Sequence, residues 1–298
     1  MSFNPNYVSN LAQAVDRSSY AEQQLTTELS SGLRVSKLSD DPVAASENVQ
    51  LSASIGRIDS FVQSSARAQG VLQVTDGALG EVVSQVTSAL SLAVAASNGT
   101  LTASNLKAIT QQVSDLRDGI VSLANTSYLG QYLFGGTRGD YPPFTQDNTT
   151  TPATTTYIGY PGAQNIQTPD GQNLALGVSG AAVFTAPGAN LLGSLNQLVA
   201  DLGAGNQGAL TADSSALSSA LSNVSEQRSV IGSALSRLQA TTSYAQTQQV
   251  GYQVRQSTLL SADLPQVATD VKSAEVQHSA LLAVEASLSK VNLFDYVK

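Results

Sequence analysis

Apolar side chains return along this chain at alternating steps of three and four residues. The longest series runs Leu51, Ser54, Ile58, Phe61, Ser65, Ala68, Leu72, Thr75, Leu79, Val82, Val86, Ala89, Ala93, Ala96. Eleven of these fourteen positions are apolar and the other three are small. Spacing of this kind, held for so long, is the heptad seam of a packed helix. Asp41-Pro42 opens the segment, with Pro suited to a first turn, and Asn98-Gly99 closes it. The pattern predicts one helix over about 43–98, roughly 80 Å long at 1.5 Å per residue, which is too long for a compact globule.

A second helix carries Leu106, Ile109, Val113, Leu116, Ile120 and Leu123. The short link Asn98-Gly99-Thr100 folds it back on the first. A shorter helix is expected over about 190–202, before the Gly-rich break Gly203 to Gly208. A further long helix follows over about 209–260, where Leu217, Val224, Ile231, Leu238, Ala245, Tyr252 and Leu259 lie seven apart. Asp263 reads as an N-cap with Pro265 in the first turn. The last helix then repeats the spacing in Leu264, Val267, Val271, Ala274, His278, Leu281, Glu285 and Leu288. The first thirty residues match it with Val8, Leu11, Val15, Ser18, Glu22, Leu25 and Leu29.

Between about 129 and 189 the texture changes. Gly, Pro and Thr crowd in, as in Phe134-Gly135-Gly136-Thr137 and Tyr141-Pro142-Pro143-Phe144. Thr156-Tyr157-Ile158 and Leu174-Ala175-Leu176 read as short strands, and Asp170-Gly171 as a hairpin turn. The expected fold is therefore mainly α: a long antiparallel helical rod or coiled coil with paired N- and C-terminal helices and a small inserted β-rich module. Three domains follow: 1–42 with 263–298 as a terminal coiled coil, 43–128 with 190–262 as long helices, and 129–189 as the insertion.

Composition narrows the function by exclusion. The 298 residues hold 14 Lys and Arg against 22 Asp and Glu, a net charge of −8 that disfavours nucleic acid. There is no cysteine, so disulfides, thiolate metal sites and Cys nucleophiles are absent. The single histidine, His278, rules out a multi-His metal site. No unbroken run of eighteen apolar residues marks a membrane span, and Met1 to Asn10 lacks the apolar centre of a cleaved signal peptide.

Candidate chemistry meets a plainer explanation each time. His278 lies on a seam seven residues before Glu285, where a base finds no pocket, so it reads as a polar residue that sets register and oligomer state. Asp40-Asp41 before a helix reads as capping rather than as a cation site. Gly77 and Gly80 have no Lys-Ser/Thr after them and form no phosphate loop. Four Asn-X-Ser/Thr triplets begin at Asn98, Asn125, Asn148 and Asn223, two of them inside predicted helices. The Thr-rich run Thr149 to Thr156 reads as an exposed loop, with glycosylation a lesser alternative. No catalytic, cofactor or metal residue emerges, and no enzyme is expected. The terminal seams, Val8, Leu11, Val15, Leu25, Leu29, Leu264, Val267, Val271, Ala274, His278, Leu281 and Leu288, are left as the candidate surface. A lone two-helix hairpin buries one stripe, and packing on copies of itself stabilises it.

Several motifs resemble the flagellin superfamily over essentially the whole length. They are Leu29-Ser30-Ser31-Gly32-Leu33-Arg34-Val35, Thr75-Asp76-Gly77-Ala78-Leu79, Leu92-Ala93-Val94 and Ser261-Ala262-Asp263. Others resemble that superfamily's hook-associated protein 3 branch: Ser39-Asp40-Asp41-Pro42, Tyr132-Leu133-Phe134-Gly135-Gly136-Thr137, Gly177 to Phe184, and Asn292-Leu293-Phe294-Asp295-Tyr296. The resemblance implies a subunit of a tubular stack at the hook–filament junction of the bacterial flagellum. The terminal helices would form its inner layer and the β module would face out. It also implies these partners: further copies of the chain, hook-associated protein 1, flagellin and a chaperone of type III export, which carries the chain outside the cell unfolded. Filament flagellin is the nearer alternative. A secreted adhesin or enzyme acting through the β module is the more distant one, disfavoured by only four charges there: Arg138, Asp140, Asp147 and Asp170.

Overall fold

A computed structural model describes residues 5–98 and 101–296, with side chains over 9–98 and 101–287. The seam positions Val8 and Leu288 fall outside the described side chains, and the Gly99-Thr100 link falls outside the described residues. Among the described residues seven helices form: α1 (Pro5–Ser31), α2 (Pro42–Ser97), α3 (Ala103–Ala124), α4 (Gly180–Phe184), α5 (Leu191–Ala204), α6 (Leu210–Leu260) and α7 (Leu264–Tyr296). Six short strands stand between α3 and α4: β1 (Ser127–Tyr128), β2 (Gln131–Tyr132), β3 (Phe144–Asp147), β4 (Thr154–Tyr157), β5 (Asn165–Gln167) and β6 (Asn173–Ala175). The expected mainly-α fold with a small β insertion is what forms. The chain divides into two compact units, Met1–Gly56 with Gln248–Lys298, and Arg57–Thr247.

The second unit holds most of the core. Thirteen of the fourteen α2 seam positions named above are buried, counting Leu51 just inside the first unit, and only Ser54 stays half-exposed. Leu72, Leu79, Val82, Val86, Ala89, Ala93 and Ala96 are fully buried. On α6, Leu217, Val224, Ile231 and Leu238 are equally covered. Heptad spacing brings one face to the core, and each fully buried Leu or Val contributes roughly 1.5–3 kcal/mol. An eighteen-residue window of α2 reaches a mean hydropathy of 1.4. Apart from Ala78, beside Leu79, the helix's buried side chains follow this seam, as in the core helix of a packed bundle. On α3 the covered stripe is Val113, Arg117, Ile120 and Ala124, while Leu116 and Leu123 are half-buried.

Local signals set the ends. The Thr102 hydroxyl accepts from Asn105 N and opens α3, and Asn190 accepts from Gly193 N at 2.9 Å and opens α5. Gly205, at φ 68°, closes α5 in the left-handed conformation that glycine adopts without strain.

The insertion is three separate antiparallel hairpins rather than one sheet: β1 with β2, β3 with β4, and β5 with β6. Asp170-Gly171 does turn the third hairpin, with Gly171 at φ 82°. Strand β6 ends at Ala175, a residue short of the expected piece, and Leu176 N instead bonds Gln164 O at 2.7 Å. An aromatic cluster fixes the insertion. Phe134 and Phe144 meet Phe184 edge-on at 5.0 and 5.3 Å, and Tyr157 meets Phe144 at 5.1 Å. Burial raises the pKa of the Tyr157 hydroxyl. Asn125 grips the cluster from the end of α3, its amide donating to Phe144 O and accepting from Phe144 N, each at 2.9 Å. Asn223 Nδ2 holds Ala182 O from α6 at 2.9 Å. Asn125, just past the end of α3, and Asn223, within α6, each open an Asn-X-Ser/Thr triplet and therefore have structural work.

Candidate functional site: the paired terminal helices

The first unit contains α1, α7, the start of α2 and the end of α6. Gly32 ends α1 at φ 70°. Beyond it, Leu33 bridges Ser261 in antiparallel fashion, Arg34 N donates to Leu260 O at 2.8 Å, and Ala262 N donates to Gly32 O at 2.9 Å. This clip makes the chain re-enter where it left, so α1 and α7 pack against each other as an antiparallel pair.

The segment between α1 and α2 is held by its acids. Asp40 Oδ2 accepts from Ser36 N at 3.0 Å and from Lys37 N at 2.8 Å. Asp41 Oδ1 accepts from Ala44 N at 3.0 Å and caps α2. Backbone donors hold both carboxyls below the ordinary aspartate range, with the Arg34 guanidinium helping at Asp41. Asp263 Oδ1 accepts from Gln266 N and caps α7, as the sequence predicts. Farther along, Arg255 of α6 pairs with Glu47 of α2. Gln256 Nε2 reaches Asn48 Oδ1 at 2.6 Å and Ser52 Oγ at 2.9 Å.

Of the expected seam residues, Val267 and Val271 are buried, at 7% and 8% exposure. Leu11, Val15, Leu25, Ala274, His278 and Leu281 are half-buried. Leu29 and Leu264 are exposed. None of the described side chains of α1 is fully buried. His278 Nδ1 is covered and has no hydrogen-bond partner, and the same holds for Ser18 Oγ on α1.

Spacing alone did not reveal a second set. Tyr20, Leu38, Val43, Val49, Val250, Val254, Val276, Leu282 and Val284 stand off the named seams, and each is exposed. Val43 reaches 78% and Val276 70%. Scattered exposed apolar residues are ordinary on a protein surface, but a unit that buries few apolar side chains while exposing so many is not. Their signal in the sequence is their apolar character at positions where a two-helix pair needs polar ones. Among the described residues no group of three or more acidic or histidine side chains converges.

A clipped pair of terminal helices, long seam helices and an inserted set of hairpins make a flagellin-like fold. Residues 3–138 match the family of the bacterial flagellin N-terminal helical region. The match covers just under half of the chain, its N-terminal part. The chain is similar to flagellar hook-associated protein 3 of Salmonella typhimurium, 26% identical over 284 residues and covering 87% of each chain. The protein of the same name from Escherichia coli is 27% identical over 270 residues, 82% of this chain and 81% of that one. The fold is also that of flagellar hook-associated protein-3 from Legionella pneumophila. There the TM-score is 0.64 at 12% identity, over 70% of this chain and 98% of that one.

Proposed function

We propose that this chain is a structural subunit of the bacterial flagellum at the junction between hook and filament, with hook-associated protein 1 on one side and flagellin on the other. Its work is assembly rather than catalysis. The observation that carries the reading is the apolar surface that the first unit leaves uncovered. The α1–α7 seam, with Leu11, Val15, Leu25, Leu29, Leu264, Val267, Val271, Ala274, His278 and Leu281, sets the pair. The exposed apolar residues around it receive neighbouring copies of the chain. Residues 1–42 and 263–298 act as the assembly domain, 43–128 and 190–262 as the supporting helices, and 129–189 as an outer module. The subunit reaches its place outside the cell unfolded, through type III export with an escorting chaperone.

Electron microscopy of cells lacking the chain tests this. Hooks without filaments, together with flagellin released into the medium, are expected. Normal filaments on such cells would sink the proposal, and long filaments grown from this chain alone would assign it to filament flagellin instead. Val276→Asp addresses the surface itself. It should leave the isolated protein folded and the cells non-motile, whereas swimming cells would remove this face from the interface.

A further inference from the structure

The loop between β3 and β4, together with α3 and α5, lines an open cavity of about 480 Å³ built wholly from residues of the second unit. Small-ligand sites run from about 300 to 1,000 Å³. Two polar side chains in its walls are buried and only partly used. Asn196 of α5 is 3% exposed; its Nδ2 donates to Thr155 Oγ1 at 3.0 Å, while its Oδ1 is covered and has no hydrogen-bond partner. Arg117 of α3 is 6% exposed. Its Nε donates to Asp118 Oδ1 at 3.0 Å and its Nη2 to Ser114 Oγ at 3.1 Å, and its Nη1 has no partner among the described residues. Polar groups left unpaired at such depth are costly and rare. An occupant that brings one donor and one acceptor satisfies both.

A third observation is steric. Gly203 stands in the last turn of α5 and lines the same cavity. Its backbone is not left-handed, and an added Cβ would meet only Thr110 Cγ2, at the ordinary distance of 3.9 Å. Glycine weakens a helix, and here neither a turn nor close packing calls for it. What the missing side chain leaves is room in the cavity.

The lining sets the class of ligand. The charge of Arg117 is matched by Asp118 at 2.8 Å, and no other charged side chain is among the lining residues, so an ionic ligand would bring a charge that nothing balances. Asn148, Thr150 and Thr151 add exposed amide and hydroxyl groups, and Val199 and Ala200 add a small apolar floor. A sugar ring carries hydroxyls, each donor and acceptor, around its edge and C–H groups on its faces, and so meets both kinds of lining. A peptide offers its polar groups in a single row.

We propose that this cavity binds a neutral sugar. Arg117 Nη1 donates to a ring hydroxyl, Asn196 Oδ1 accepts from another as the exposed loop yields to let it in, and Val199 and Ala200 lie under a C–H face. The site uses no residue of the terminal helices, so it stands or falls apart from the proposed place in the flagellum.

Heteronuclear NMR of the full chain, titrated separately with glucose, galactose and N-acetylglucosamine, tests the site. At least one sugar should shift the signals of the Asn196 side-chain amide and the Arg117 Nε–H, with half-saturation at about 1–10 mM, the weak end of specific binding. Gly203→Leu fills the cavity and should weaken that binding at least about tenfold, with a thermal midpoint equal to or above wild type because leucine favours a helix. No shift at these two side chains with any of the three sugars at about 100 mM would overturn the proposal, as would binding that survives in Gly203→Leu. Should that variant not fold, Thr151→Val, on the exposed loop, decides: binding should weaken about threefold or more, and unchanged binding overturns the site. Shifts produced only by N-acetylneuraminic acid, or only by N-acetylglycinamide, would give the cavity to an anion or to a peptide segment and also overturn it.

Discussion

Val271→Asp separates the two units energetically. Val271 and Val267 are the α7 side chains best covered among those described, and α1 offers no fully buried side chain in return. The substitution removes roughly 1.5–3 kcal/mol of apolar burial. It also places a carboxylate beside Asp270, where Lys272 is already held by Glu275 at 2.7 Å, so the new charge has no free cation on its own turn. Covering an unpaired charge costs about as much again, for a total of about 3–6 kcal/mol. That rivals what so small a core contributes, so the cheaper outcome is for α1 and α7 to part and expose the aspartate. The second unit rests on other residues, Leu72, Val82, Ile120, Leu195 and Leu217 among them, all fully buried. Hydrogen exchange followed by peptide should show α1 and α7 exchanging about a hundredfold faster or more, with α3 and α5 unchanged. A variant in which α1 keeps its protection would refute the assignment of the α1–α7 seam. Loss of α3 and α5 together with α1 would refute the independence of the two units.

Other perturbations test the interior. Gly180→Ala would put a methyl 2.7 Å from Phe134 O and 2.8 Å from the Phe144 ring, so thermal unfolding should show a loss of about 1–3 kcal/mol, the range of overpacked cores. Asp213 has a folded pKa of about 6 against an ordinary 3.8, so its contribution is present below pH 3.8 and is lost as pH rises to about 6. Asp213→Asn should thus exceed wild type by about 2 kcal/mol at pH 7.5, with the gap closing toward pH 4, as read by denaturant unfolding at each pH. Arg228→Ala breaks a forked pair to Asp76, at 2.8 and 3.1 Å, but both partners are more than a third exposed. Its cost should stay under about 1 kcal/mol, and a larger shift in unfolding midpoint would mean that the pair is better shielded than its surface position implies.

The helices were legible in the sequence because their cause is local and repeated. A 3-4 spacing over α2 leaves one face apolar wherever the helix is placed, and Asp41, Gly205 and Asp263 mark ends through bonds within a few residues. The inserted β character was equally plain from Gly, Pro and Thr. Tertiary structure decided whatever depends on distant partners. Seam membership of Leu29 and Leu264 follows from spacing, yet both remain exposed, because cover depends on what faces a residue and not on its period. The outward valines, Val43, Val49, Val254 and Val276, lie on faces that spacing alone would leave polar. Asp213 stands in an unremarkable sequence context, and only the fold covers its Oδ2 without giving it a partner. Heptad periodicity records which face of a helix prefers to leave water. It carries no record of whether another surface of the same chain arrives to cover that face, and that difference separates the buried core of the second unit from the open seam of the first.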